Sequence, residues 1–147
     1  MRTGFVKGAV QSVEATYLVH QTEDGGRIRR YVEEALGSDG EREELEMEGH
    51  FGNRIISVKT HYVGDAAAAA FDWISSRIAR PDREQLIAGL ASHLDEHSAL
   101  FLRLDKQKLV EGRLVLGGRE TVRVKVKLRL HSLKAGATEF FREELRR

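Results

Sequence analysis

Five basic side chains recur at every second position in TVRVKVKLRLH, residues 121–131. Val122, Val124, Val126, Leu128 and Leu130 alternate with Arg123, Lys125, Lys127, Arg129 and His131. Successive side chains of a strand point to opposite faces. Burying the apolar set therefore lines the cations up on the other face, about 6.6–6.8 Å apart. Phosphates along one nucleic-acid strand repeat on a comparable scale, so such a row can follow a backbone. Each phosphate contact would add salt dependence. A second use of the row stays open. Glu44, Glu46 and Glu48 alternate in the same way within residues 43–50. If the two strands adjoin, acids and bases form an ion-pair ladder worth ~0.2–1 kcal/mol per pair.

Two other stretches carry unusual residues. EMEGHFGNRII, residues 46–56, places Gly49, His50, Phe51, Gly52 and Asn53 between an acidic run and an apolar run. The spacing predicts a hairpin connection, with Gly52-Asn53 supplying the unusual backbone angles. LFLRLDKQKLVEGRLVLG, residues 100–117, sets Arg103, Asp105, Lys106, Gln107 and Lys108 where a strand breaks off. That is either a polar crossing with an internal Arg-Asp or Lys-Asp pair, or a second basic contact beside residues 121–131.

Catalytic chemistry finds little support. The serines lie in no GxSxG nucleophile elbow, and no phosphate-binding P-loop or dinucleotide fingerprint occurs. An acid–base pair needs two differently buried carboxylates, whereas these glutamates alternate on a wet face. His93 and His97, four apart on an expected helix, could share a metal, but position 94 is Leu and no third ligand is in view. The expectation is a protein with no catalytic residue, no metal and no cofactor.

The elements that must position these residues follow from periodicity. Residues 10–20, 43–50, 55–62, 100–105 and 121–131 alternate as strands. RLVL, with a Gly117-Gly118 turn, is expected to form a hairpin with the last of them. Thr22 precedes a helix ending at Gly37, with Ile28, Val32, Ala35 and Leu36 on one face. Asp65 can cap AAAAAFDWISSRI. Pro81 opens DREQLIAGLASHLDE, and TEFFREELRR closes the chain. Residues 106–112 are ambiguous between a helical turn and an irregular crossing. The order β-α-β-β-α-α-β-β-β-α predicts an α+β two-layer sandwich: a largely antiparallel sheet with helices packed on one face. The helices should cover Val13, Val19, Leu45, Val58, Leu102, Val124, Val126 and Leu128.

Bulk properties narrow the class. The chain has 147 residues, no cysteine and one proline, which fits one domain over residues 1–147 and excludes disulfides and thiol catalysis. A 32% charged composition poor in Asn and Cys matches heat-adapted proteins. The start, MRTGFVKGAVQSVEA, lacks a signal-peptide pattern, and no apolar run is long enough to span a membrane. A cytoplasmic protein is expected. Net charge is only +1 but unevenly spread. Residues 39–48 hold six acids against Arg42, whereas residues 113–134 hold seven bases, Lys134 among them, against Glu120.

EGHFGNRI (48–55), followed by FLRLDKQ (101–107), resembles an archaeal RNA-binding family predicted to be an exosome subunit. SVEATYLVHQTED (12–24) is similar to that family's start, and the likeness spans roughly residues 9–131. Position 51 is Phe where the family motif carries a second His. The resemblance implies a fold like a ribosomal protein that binds 5S RNA, an RNA partner, and no catalytic residue. Gly49, His50, Gly52 and Asn53 match one of the family's motifs and Asp105, Lys106 and Gln107 the other, and a site role is expected for them. Gly49 and Gly52 would let the chain turn and approach a ligand closely. His50, Asn53 and Arg54 would offer donors to phosphate or a base edge, as would Lys106 and Gln107. The expected RNA contacts are Arg123, Lys125, Lys127 and Arg129, with His50, Asn53, Arg54, Lys106, Gln107 and Lys108 at the margin. Exosome or other RNA-processing proteins are further expected partners. The competing expectation is an adaptor or homodimer in which the acidic strand of one copy meets the basic strand of another.

Overall fold

The computed structural model describes residues 8–133 and 135–147. Lys134 and the first seven residues of the N-terminal stretch lie outside them. Five strands form one antiparallel sheet in the order β2-β3-β1-β5-β4. They are β1 (Val10–His20), β2 (Glu41–Glu48), β3 (Arg54–Val63), β4 (Leu100–Asp105) and β5 (Thr121–Leu128). Helices among the described residues include α1 (Gly25–Leu36), α2 (Gly64–Arg77), α3 (Arg80–Ala88), α4 (Lys106–Leu109) and, after β5, α5 (Ala137–Arg146). The expected α+β class, with an antiparallel sheet and helices on one face, holds.

Alternation decides which face is covered. Val13, Ala15, Tyr17 and Val19 on β1 point to the helices and are buried, as are Val58 and Tyr62, Leu100, Leu102 and Leu104, and Val122, Val124, Val126 and Leu128. Fully burying a side chain of Val or Leu size contributes roughly 1.5–3 kcal/mol, so this one layer dominates the stability. The alanines of α2 are the reason that helix sits close: Ala67, Ala68 and Ala70 are buried beside Phe71 and Ile74. Phe71 meets Phe140 and Phe141 of α5 at centroid distances of 6.3 and 5.8 Å. Gly37, with φ of 109°, ends α1, and its carbonyl accepts the Tyr62 hydroxyl at 2.8 Å.

Several expectations are corrected. Leu45 is not under the helices; it is 64% exposed on the opposite face. Its register partner Ser57 places it there, while Glu44 on the covered side pairs with Arg29 of α1 at 3.1 Å. An edge strand beyond the helical cover has no core to fill, so a charged side chain meets α1 instead. The acidic and basic strands do not adjoin, since β3 and β1 lie between β2 and β5. No ladder joins them. RLVL does not form a hairpin with β5, because both edges of β5 are already taken by β1 and β4; Leu116 instead bridges Leu104. Asp24, not Thr22, caps α1 by accepting the Arg27 amide at 3.0 Å. α2 begins at Gly64 with no side-chain cap. α3 stops at Ala88, and a short 3-10 turn over Leu90–His93 follows, so His93 and His97 share no helix. The ambiguous segment after β4 opens with the one-turn helix α4, capped by Asp105.

Candidate nucleic-acid interface

The sheet face away from the helices carries the basic row. In β5, Arg123 and Lys127 are exposed and Lys125 is half-buried. Arg129 lies beyond the strand, where its guanidinium donates to the Val10 carbonyl at 2.8 Å. His131 sits in the 3-10 turn that follows. The row is thus three residues long in the strand, not five.

Its neighbours are set by register. Lys125 stands between Glu14 of β1 and Phe101 of β4, and Arg123 between Thr16 and Arg103. Glu14 turns toward β3, with carboxylate oxygens 3.9 Å from Lys59 and 3.7 Å from His61. Lys125 turns the other way, its ammonium 5.4 Å from the Phe101 ring centroid. Arg103 directly faces Arg123, an arrangement that is unfavourable without a counter-charge. Among the described residues, no carboxylate comes within ion-pair distance of Arg103, Arg123, Lys125 or Lys127. Asp95 is one acid whose field meets Lys125. Its carboxyl is held below the usual range first by the Ala99 amide, against some desolvation, then by the His97 amide and the Lys125 charge. Glu14, Thr16, Phe101, Arg103, Arg123 and Lys125 line one shallow depression.

Sequence reasoning missed Phe101 as a member of this face and offered Arg103 only as part of a possible second basic contact beside residues 121–131. Their signal was present: LFLRLD alternates, which sets Phe101, Arg103 and Asp105 opposite the buried leucines.

The two family-like motifs lie at the same end of the sheet, separated there by β1 and β5. β1, β2 and β4 finish there, and β3 and β5 begin there. The loop Gly49–Asn53 closes the β2-β3 hairpin, with the Gly49 amide donating to the Asn53 carbonyl at 2.6 Å and Gly52 at φ 77°. The Asn53 side chain packs so tightly over Gly49 that a Cβ there would collide with its amide. His50 and Phe51 are exposed, their rings edge to face at 4.8 Å. Arg54 is exposed but engages Glu46 at 3.3 Å.

Lys106 is buried, not presented to solvent. Its ammonium donates to the Leu18 carbonyl at 2.8 Å and to Glu23 at 3.0 Å, and lies 3.4 Å from Glu120. His20 meets the same Glu120 at 2.6 Å. His20, Glu23 and Glu120 could by spacing hold a metal ion, but the lysine ammonium already supplies the positive charge between the two carboxylates. Burial alone would raise the Glu23 carboxyl; the His20 amide and Lys106 outweigh it and hold Glu23 below the usual range. Gln107 is exposed and Lys108 half-buried. The structure therefore gathers Arg123, Lys125 and Lys127 on one face. It leaves His50, Asn53 and Arg54 two strands away, and commits Lys106 and Arg129 to internal bonds.

No described helix is long and apolar enough to cross a membrane. An RNA-binding protein of Pyrococcus abyssi is 28% identical over 126 residues, covering 81% of this chain and 82% of that protein. The fold is similar to a DUF54 protein of Sulfolobus solfataricus, with a TM-score of 0.76, 24% identity, and coverage of 92% of this chain and 97% of the other. It is also similar to a DUF54 protein of Methanothermobacter thermautotrophicus, with a TM-score of 0.71, 22% identity, and coverage of 94% and 96%. The model of the RNA-binding family matches residues 12–128, which include all five strands almost whole. The chain belongs to that RNA-binding family.

Proposed function

We propose that the open sheet face binds RNA through Arg103, Arg123, Lys125 and Lys127. One observation carries the reading: four cations crowd neighbouring strands with no carboxylate in ion-pair reach among the described residues. A fold retains such a cluster at a cost unless an anion relieves it. A polyanion does so by exchanging its own counterions for these side chains. The reading is of a binding face and assigns no catalytic residue. His50 and Lys108 lie at the margin, where a longer RNA could reach them.

The remaining features of the proposal rest on composition and family likeness. They are action in the cytoplasm of a heat-adapted cell and service as an accessory factor to RNA processing, the exosome included. A second reading draws on β2, an edge strand exposed along its whole length with five glutamates and the outward Leu45. There, β2 would dock on the basic face of another copy.

Fluorescence anisotropy with labelled RNA, beside sedimentation at the same protein concentrations, separates the two. RNA binding requires that Lys125→Glu with Lys127→Glu abolish the anisotropy change while the wild type sediments as a monomer. A dimer that dissociates on the same substitutions and holds no RNA would replace the first reading with the second.

A further inference from the structure

We infer that Phe101 is a base-stacking platform and that the partner of this face is single-stranded RNA. The inference rests on the RNA reading above and narrows it. Phe101 is 41% exposed on the open face, where it stands on the edge strand β4, although every other described phenylalanine except loop residue Phe51 is largely buried. Its position is fixed by β4 alternation, with Leu100 and Leu102 anchored in the core on either side. Lys125 lies across the strand at 5.4 Å from the ring centroid. The Arg103/Arg123 pair lies two residues further along, the next pair on the same face.

A nucleotide has two parts to satisfy, a flat apolar base and a charged phosphate. The depression offers both within one shallow site. A base laid on Phe101 would place the adjoining phosphates toward Arg103 and Arg123, relieving their mutual repulsion. Glu14 and Thr16 line the same depression and offer acceptors to a base edge. Duplex RNA keeps its bases stacked on one another and cannot present one to a ring on a flat sheet. Charge alone does not distinguish the two forms of RNA; the exposed ring does.

The test uses the full chain, a labelled single strand of about twelve nucleotides without self-complementarity, and its duplex. At one salt concentration the wild type binds the single strand more tightly than the duplex. Phe101→Ala weakens single-strand binding about 5- to 150-fold, the range for losing one stacked base, and the preference over duplex collapses. Phe101→Tyr retains both. Phe101→Leu keeps apolar cover over the strand and repeats the loss if the alanine variant unfolds. Equal binding of single strand and duplex by the wild type, or unchanged binding by Phe101→Leu, would overturn stacking. If Arg123→Glu with Lys125→Glu then still abolishes binding, the RNA reading stands without it. If that pair leaves RNA affinity unchanged, the RNA reading itself fails.

Discussion

Arg103 and Arg123 face each other across the β4-β5 ladder, both exposed. Like charges directly opposite in a sheet oppose folding by a few tenths to about 1 kcal/mol. Arg103→Gln should therefore raise stability by roughly 0.2–1 kcal/mol in low salt, and the gain should shrink as salt screens the pair. The same substitution should weaken RNA binding. Chemical denaturation beside anisotropy measures both, and opposite signs are the expected outcome. A loss of stability would mean that Arg103 has a partner that relieves it.

Lys106 should matter to folding and little to RNA. Lys106→Ala leaves Glu23 without its cation and the Leu18 carbonyl without its donor. Breaking a fully buried pair costs ~3–5 kcal/mol. Because Glu120 is half-exposed, about 2–3 kcal/mol is expected here after solvent screening. That corresponds to a fall in Tm of roughly 4–12 °C. Calorimetry reads the shift, and RNA affinity measured well below the transition should stay within about twofold.

The Glu23 carboxyl gives this cluster a pH signature. Its folded value lies below the ordinary 4.5, so the folded state binds a proton there less readily than the unfolded chain. Its contribution is complete above 4.5 and disappears as pH falls through the lowered value. Glu23→Gln removes that contribution at every pH. The stability difference between wild type and Glu23→Gln, followed by urea denaturation from pH 7 downward, should be constant to about pH 5 and then narrow.

Within the Gly49–Asn53 loop the two glycines should respond differently. Gly52 holds a left-handed backbone where an added Cβ would make only ordinary contact, with Glu48 Oε1 at 3.7 Å, so Gly52→Ala should cost about 1 kcal/mol and Gly52→Asn less. Gly49 has an ordinary φ, but a Cβ there meets the Asn53 amide. Gly49→Ala should therefore be rescued by Asn53→Gly, whereas Gly52→Ala should not. Thermal melts of Gly52→Asn and of the two alanine variants, each with and without Asn53→Gly, check this.

The basic row was legible because β5 alternates without a break and its apolar half is the centre of the core. β2 was legible as a strand but not in its orientation. Local polarity favoured burying Leu45 and Met47, whereas contact with Arg29 of α1 turns Glu44 inward. Strand order depends on pairings far apart in sequence, so the separation of acidic and basic strands was not readable. Nor was the fate of Lys106: nothing near residue 106 announces the Leu18 carbonyl or Glu23, more than eighty positions earlier. RLVL misled because four mainly apolar residues before Gly-Gly look like a hairpin arm, and only the completed sheet shows that β5 has no free edge.

On the proposed reading, four cations of the open face hold RNA phosphates. The most direct measurement is the affinity of wild-type protein for a single-stranded RNA across a salt series. Log affinity should fall linearly with log salt at a slope near −3, about −0.7 for each of four contacts on a single strand. Lys127→Ala should bring the slope close to −2. An affinity indifferent to salt, or a slope unmoved by Lys127→Ala and by Arg123→Ala, would contradict it.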